Sequence, residues 1–397
     1  MRRNVKNQCS FASYAMSCAM ILMAVILASP FAWTQPGGAA ADDGFSWAAA
    51  VSGTGIQVDC AVTQMKIETV KIDGHAFRRL LVPGLGVSGE LGRPELPAWR
   101  RLVEVPANAV NLQAKVLASA MAPAPKDLEG AEMPVYPVQP PVEKIPGALP
   151  APLVWDKAFY ARPGKTGVNP VELTYFGVQR GRTLYLITVY PFEYAPASNT
   201  LNVRTTLSFE VLWDCGGAAP QWRDDRYVSP VLDQALDLWL INPTSADKGG
   251  FTGHPAGLLV IAAPAYFSNV NLADFVAWKT QRGLHTTLVS TATTGSTASA
   301  IQTYIKNAYD TWDIPPSFLI LVGDTDTIPY WTGGGDDSPP TDLNYVLVDG
   351  TEWNTPDIWY GRISVRNTTQ LANALQKTLA YEQRVWSTEH PWEKHAS

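Results

Sequence analysis

The stretch "ILVGDTDTIPYW" (residues 320–331) decides the fold of the second half of the chain. The apolar run at 318–322 leads into Gly323 and Asp324, as a buried strand does where it ends at the edge of a sheet. Hydroxyl and acidic side chains then cluster before a proline, which is typical of a loop. The pattern predicts a central strand that delivers Asp324 to a sheet edge.

Strand and helix patterns alternate on both sides of this stretch. Strand-like runs lie at 257–263, 285–290, 318–322 and 357–365, and helical periodicity covers 271–283, 296–312 and 367–386. Alternation at this spacing predicts a doubly wound, mainly parallel α/β sheet for residues 257–397. Because ligands of such sheets bind at the carboxyl ends of the strands, Asp324 is the first candidate for a functional side chain.

The first half of the chain is dominated by strand patterns. Paired β-rich runs flank Asp73-Gly74 at 65–82 and Arg180-Gly181 at 171–192, and residues 201–211 alternate between apolar and polar. These signals predict antiparallel hairpins and a β-rich, sandwich-like domain over 42–215. The proline- and alanine-rich stretch 119–163 is predicted to run over the surface.

The first 41 residues have the pattern of a secretory signal peptide. A basic start precedes the apolar run at 19–28, and alanines at 39–41 offer a cleavage site before Asp42. The apolar run is shorter than the roughly 20 residues that a membrane helix needs, so no stable membrane span is expected. The sequence therefore predicts a secreted or cell-surface protein.

Length and composition describe a multidomain globular protein. The chain has 397 residues, of which 46% are hydrophobic and 17% charged, which fits two or three domains with extensive cores. A formal charge of −6 gives no sign of a nucleic-acid partner. Cys60 and Cys215 are the cysteines beyond the signal peptide, and the sequence leaves open whether they pair.

Residues 216–256 are predicted to be a linker between the two regions. The stretch is rich in glycine, proline and polar residues, with a short helix at most. Arg223, Arg226 and Lys248 lie in it, and basic residues in an exposed linker are candidates for activating cleavage by a protease.

Asp324 allows three interpretations from the residues alone. Asp324-x-Asp326 after a strand is similar to the nucleophile and general acid of magnesium-dependent phosphatases, but the chain lacks the distant acid pair that this chemistry needs. A calcium site could combine Asp324 with Glu352 and Asp357, since hard cations prefer carboxylate and carbonyl oxygens. Alternatively, Asp324 only closes a turn.

The motifs of residues 257–382, taken together and in order, resemble the gingipain-type cysteine peptidases. They are "LLVIAAPAY", "FVAWKTQRGLHT", "AIQTYIKNAYD", "FLILVGDTDTIP", "TDLNYVLVDG", "PDIWYGRISV" and "LANALQKTLAYE". The resemblance implies a caspase-like catalytic domain. The preceding region, with "GRPELPAWRRLVEVP" at 92–106, looks like the pro-domain of that family.

The resemblance implies a secreted cysteine endopeptidase zymogen that acts on proteins or peptides and is inhibited by its own pro-domain. The family's catalytic cysteine and histidine lie further along the domain, in Ala-Cys and Gly-His-Gly settings. This sequence has neither motif and no cysteine after Cys215. We therefore expect a fragment without catalytic residues, which is inactive as given.

The resemblance also favours a structural calcium ion. Asp324 matches the family's calcium-binding aspartate, and Asp357 and Glu352 lie in the loop that supplies its other ligands. The alternative from a different functional class is a secreted, non-catalytic protein that uses the same two regions as a binding or cell-surface module.

Overall fold

The computed structural model describes residues 44–52, 55–124, 133–142, 152–243, 255–334, 338–350, 352 and 355–383. The predicted signal peptide and Lys248 lie outside these residues. Over the described ranges, no helix is both long and apolar enough to cross a membrane.

The β-rich region is built from antiparallel strands and one short helix, α1 (Lys157–Ala161). The strands are β1 (Phe45–Ser52), β2 (Gly55–Val62), β3 (Lys66–Ile72), β4 (His75–Leu81), β5 (Gly86–Ser88), β6 (Leu96–Val105), β7 (Val110–Pro123), β8 (Val171–Gln179), β9 (Arg182–Val189), β10 (Phe192–Ala195) and β11 (Thr200–Asp214). One sheet has the order β1-β2-β11-β10, with β7 also paired to β11, and a second has the order β5-β6-β9-β8. β3 and β4 form a separate hairpin.

The two sheets share one hydrophobic core, which confirms the predicted β-rich, sandwich-like fold. Val58 and Phe209 from the first sheet and Val103 and Ile187 from the second are fully buried in the same cluster. Both predicted hairpins are present, with turns at Asp73-Gly74 and Arg180-Gly181.

The predicted linker is structured in its first part. Residues 225–227 form a turn of 3₁₀ helix, and α2 (Pro230–Asp237) follows. Leu240 then pairs with Leu102 of β6, and both side chains are buried against Leu184. Leu240 and Ile241 thus pack on the β-rich region beyond the boundary predicted at residue 215, whereas Arg226 and Tyr227 contact the α/β region.

The α/β region contains the predicted parallel sheet. Strands β12 (Gly257–Ala262), β13 (His285–Ser290), β14 (Pro316–Val322) and β17 (Trp359–Ile363) have the order β13-β12-β14-β17, and every pairing is parallel. The helices are α3 (Pro264–Phe267), α4 (Val270–Gln281), α5 (Thr291–Thr294), α6 (Ala298–Thr311) and α7 (Thr368–Gln383). β15 (Trp331–Thr332) and β16 (Pro340–Thr341) form a small hairpin, and a 3₁₀ turn spans Leu343–Val346.

The chain reverses its direction of travel across this sheet after β13. β12 is followed by β13 on one side, and the chain then crosses to β14 on the other side of β12. Because such crossovers are right-handed, α4 and α6 cover opposite faces of the sheet. β12 is consequently buried along its whole length, and the carboxyl ends of β12 and β14 lie at the point where ligands of such sheets bind.

Candidate functional sites at the two ends of the parallel sheet

Asp324 lies at the carboxyl end of the sheet, as predicted, and its carboxylate is held by other side chains. It accepts hydrogen bonds from Arg366 Nε (2.5 Å), Ser364 Oγ (2.8 Å) and its neighbour Thr325 N–H (2.9 Å). The bond from Arg366, followed by those from Ser364 and Thr325, lowers the pKa of Asp324 to about 2. Asp324 is therefore ionised at neutral pH and anchors the segment that follows β17.

The loop that carries Asp324 is fixed by an arginine from β17. Arg362 donates to both carboxylate oxygens of Asp342, at 2.8 and 2.6 Å, and to the backbone carbonyls of Gly323, Ile328 and Pro329. The Arg362 and Asp342 side chains are only 11% and 15% exposed, so this ion pair is largely removed from water. Arg362 thereby sets the shape of the carboxyl end of the sheet.

An open groove of about 480 Å³ lies beside Asp324. Its lining includes Ser364, Arg366, Gln370 and Lys377.

The structure gives no support to the phosphatase interpretation, because the Asp324 carboxylate that would have to attack accepts hydrogen bonds from Arg366 and Ser364. Asp336 and Asp337, an acid pair about ten residues after Asp326 and nearer than that chemistry needs, lie outside the described residues.

Asp357 lies at the opposite, amino end of the sheet, two residues before β17. Its side chain is fully buried. One oxygen accepts the backbone N–H of Arg180 at 2.9 Å, and the other accepts those of Val348 and Asp349 at 3.0 and 2.8 Å. Burial raises the pKa of Asp357 to about 6, against the opposing effect of the three amide donors.

The predicted three-carboxylate calcium site is not assembled. Asp324 follows β14 and Asp357 precedes β17, and these parallel neighbours place them at opposite ends of a strand about 20 Å long. Glu352 lies on the Asp357 side, where it faces Tyr175 and Gly177 of the β-rich region. Within the part of the chain that is described, no three acidic, histidine or cysteine side chains come close enough to hold a metal ion.

The donors around Asp324 and Asp357 do not suit calcium either. Each carboxylate faces N–H or guanidinium groups, and such donors occupy the lone pairs that a hard cation would need. The residues present therefore do not fit the predicted ion.

Two of the candidate cleavage residues are held by specific contacts. Arg223 forms a bidentate ion pair with Asp233 of α2, at 2.5 and 2.7 Å. Arg226 donates to the carbonyls of Tyr309 and Trp312 in the α/β region. The expectation of a freely exposed stretch is therefore wrong at these two positions.

The tip of the β8–β9 hairpin is a contact that the sequence did not reveal. Arg180, between the two strands, is 2% exposed and lies against the amino end of the α/β sheet. The available signal was the turn itself, because the first position of an Xaa-Gly hairpin turn of this kind favours asparagine, aspartate or glycine. An arginine in that position is a local conflict that indicates an outside partner.

Comparisons with known proteins identify relatives of both regions. Residues 252–397 match the model of the family described as Peptidase family C25. Lys-gingipain of Porphyromonas gingivalis is 30% identical over 334 residues, which cover 82% of this chain and 19% of that protein. Gingipain R2 of the same organism is 31% identical over 137 residues, or 34% of this chain and 18% of that protein. The chain thus spans about a fifth of the length of these relatives.

Two solved structures also match parts of this chain. A structure on the zymogenic latency of gingipain K from Porphyromonas gingivalis covers 45% of this chain and 96% of its own, at 26% identity and a TM-score of 0.37. A complex of Porphyromonas gingivalis RgpB pro- and mature domains covers 48% and 93%, at 15% identity and a TM-score of 0.39. The family match and the identity to Lys-gingipain confirm the resemblance that the sequence motifs indicated.

Proposed function

We propose that this chain carries the zymogen form of a secreted cysteine endopeptidase, because residues 252–397 match the model of peptidase family C25. In this proposal the β-rich region, including the segment up to residue 241 that packs on it, is the pro-domain. The α/β region is the first part of the catalytic domain. The family match carries the proposal, and the β-rich region bound against the α/β region is the arrangement that a latent precursor requires.

The catalytic thiol and imidazole of the proposed enzyme are expected to lie outside these 397 residues. The sequence has no cysteine after Cys215, and Cys60 is a buried thiol whose Sγ donates to the Leu207 carbonyl. Burial and then the charge of Asp59 raise the pKa of the Cys60 thiol to about 12, which is opposite to what a nucleophile needs. The chain alone is therefore expected to hydrolyse no peptide substrate.

The gene provides the direct test. An in-frame continuation beyond codon 397 that encodes Gly-His-Gly and Ala-Cys motifs, and whose product cleaves peptides in a thiol-dependent way, supports the peptidase. A stop codon directly after codon 397 contradicts it and supports the alternative of a secreted binding or cell-surface module.

Secretion and processing are part of the same proposal. Export through the signal peptide predicts that the mature protein begins near Asp42, which N-terminal sequencing of the exported protein checks. An N-terminus at Met1 would contradict export by this route.

Activation would require a cut in 216–256, with Arg223, Arg226 and Lys248 as candidates. Because Arg223 and Arg226 are tied by their contacts, cutting there needs local opening first.

A further inference from the structure

The tip of the β8–β9 hairpin is bonded to the α/β region at three successive residues. The Gln179 side chain donates to the Pro356 carbonyl at 2.8 Å. The backbone N–H of Arg180 donates to the Asp357 carboxylate at 2.9 Å, and that of Gly181 to the Asp349 carboxylate at 2.5 Å. The turn is therefore hydrogen-bonded to specific acceptors of the α/β region and does more than touch its surface.

The Arg180 guanidinium enters a pocket that we call the arginine socket, formed by the carbonyls of Tyr227, Pro316 and Asp357 and the ring of Tyr309. The carbonyl oxygens lie 2.9, 2.9 and 3.1 Å from guanidinium nitrogens, and the guanidinium carbon lies 5.5 Å from the ring centre. Three fixed acceptors and an aromatic face match the planar, forked donor set of arginine, which the single ammonium of lysine cannot reproduce.

A second hairpin turn in the same chain, Asp73-Gly74, can be compared with the Arg180-Gly181 turn. Asp73-Gly74 has φ angles of 47° and 77°, and Arg180-Gly181 has 49° and 73°. The two turns thus have the same left-handed geometry. Asp73 is a favoured residue for this geometry and is exposed, whereas Arg180 is a disfavoured one and is buried. The arginine is therefore explained by what it binds and not by the turn it sits in.

Close packing beside the turn also indicates a specific contact between the hairpin and the α/β region. Gly177 of β8 has a φ of 142°, and a Cβ placed on it would lie 2.7 Å from Thr355 Oγ1 and 3.2 Å from Glu352 Cβ. The hairpin approaches the α/β region so closely that a side chain does not fit at this position.

We infer that the α/β region, together with the Tyr227 carbonyl of the segment that precedes it, forms an arginine-binding site at the amino end of its parallel sheet, occupied by Arg180 of the β-rich region. Its ligand class is an arginine at the tip of a β-hairpin, bound through guanidinium and backbone N–H together. The site is separate from the carboxyl end of the sheet, where Asp324 lies and where ligands of such folds bind.

The arginine socket has a consequence for processing, and this part rests on the proposed function. A cut in 244–254 would leave Arg180, Arg226 and Tyr227 on the β-rich side, with their contacts to Tyr309 intact. The cut pro-domain would then remain bound to the α/β region without a covalent link. Release would require a second event that empties the socket.

The experiment uses the full chain with a site for a specific external protease placed in 244–254 and an affinity tag on the β-rich side. After cutting, the two halves are expected to co-elute at about 1 µM, and the dissociation constant is measured by dilution. Arg180→Asn keeps a residue that favours this turn but removes the guanidinium, so the hairpin still forms. We expect it to weaken binding on the order of 100-fold, as for a central buried anchor.

Two further variants sharpen the result. Arg180→Lys keeps the charge but not the fork and is expected to weaken binding about 10-fold. Arg162→Ala removes an exposed arginine of the β-rich region, at the end of α1, and is expected to leave binding unchanged.

The outcomes are distinct from those that test the peptidase. Wild-type halves that separate at 1 µM, or Arg180→Asn halves that bind as tightly as wild type, would overturn the arginine socket. Absence of peptidase activity in the longer gene product would overturn the proposed enzyme and leave the socket standing, because the cut is made by an added protease.

Discussion

Arg182 joins three parts of the β-rich region, and its loss is expected to be severe. It donates to Glu104 of β6 at 2.9 and 2.7 Å, to Asp237 of α2 at 3.0 Å, and lies 3.5 Å from Asp233. The Arg182 side chain is 1% exposed, and those of Glu104 and Asp237 are 3% and 8% exposed. Arg182 is thus the cation that allows these carboxylates to be buried.

The expected cost of Arg182→Met follows from this burial. Methionine fills a similar volume, so the change removes the charge and leaves Glu104 and Asp237 buried without a cation. Breaking a buried ion pair in this way costs about 3–5 kcal/mol. That range corresponds to roughly a 150- to 5,000-fold rise in the population of opened molecules.

Hydrogen exchange of peptides that cover β9 measures this population in the region concerned. Protection of these amides is expected to fall by the same factor, and trypsin is expected to cut after Arg223 faster, since Asp233 belongs to the same network. Lys66→Met is the control, because the Lys66–Glu68 pair is exposed and is worth less than about 1 kcal/mol. A protection loss in Arg182→Met below about tenfold would refute the reasoning.

Three other predictions concern the thiols, calcium and the carboxyl end of the sheet. Cys60, whose thiol pKa is raised to about 12, is expected to react with iodoacetamide at pH 8 at least 100-fold more slowly than the half-exposed Cys215, by mass spectrometry of both peptides. Melting curves in 1 mM calcium and in EDTA are expected to coincide; a calcium-dependent rise that Asp324→Asn abolishes would restore the calcium site. Arg362→Ala is expected to cost about 3 kcal/mol by thermal unfolding, whereas Arg366→Ala, whose side chain is 73% exposed, is expected to cost less than about 1 kcal/mol.

Features that depend on neighbouring residues could be predicted from the sequence. The hairpin turns, the parallel sheet and the alternation in β11 all follow from local patterns. The pairing of β11 with β7 is irregular at three places, and the first, between Arg204 and Thr206, buries Arg204 on the face that the alternation predicts to be polar and outward. Arg204 instead donates to the carbonyls of Tyr190 and Val168, contacts that no local pattern encodes.

Features that depend on distant partners could not be predicted. The segment 133–138 was expected to run over the surface, yet Val135 is fully buried and bridges to Arg78 of β4. Single bridges of this kind leave no periodicity in the sequence. The grouping of Asp324 with Asp357 assumes that the loop before β17 returns to the end of the sheet where β14 finishes. In a parallel sheet a residue before one strand and a residue after its neighbour lie at opposite ends.

The Arg180 turn combines a feature that local sequence predicts, its geometry, with a feature that depends on distant partners, the burial of its side chain. Its geometry was predictable, but an arginine in a left-handed position costs about 1 kcal/mol that asparagine or glycine would avoid. Burying its guanidinium adds a further cost, which is the reason that the pKa of Arg180 is lowered. Neither cost is offset within the hairpin, because the hydrogen-bond acceptors described for this turn belong to the α/β region and to the segment that leads to it. Contact between the two regions therefore offsets the cost of Arg180 at this turn, although the strands of the hairpin are also held by their own pairing and by the core of the β-rich region.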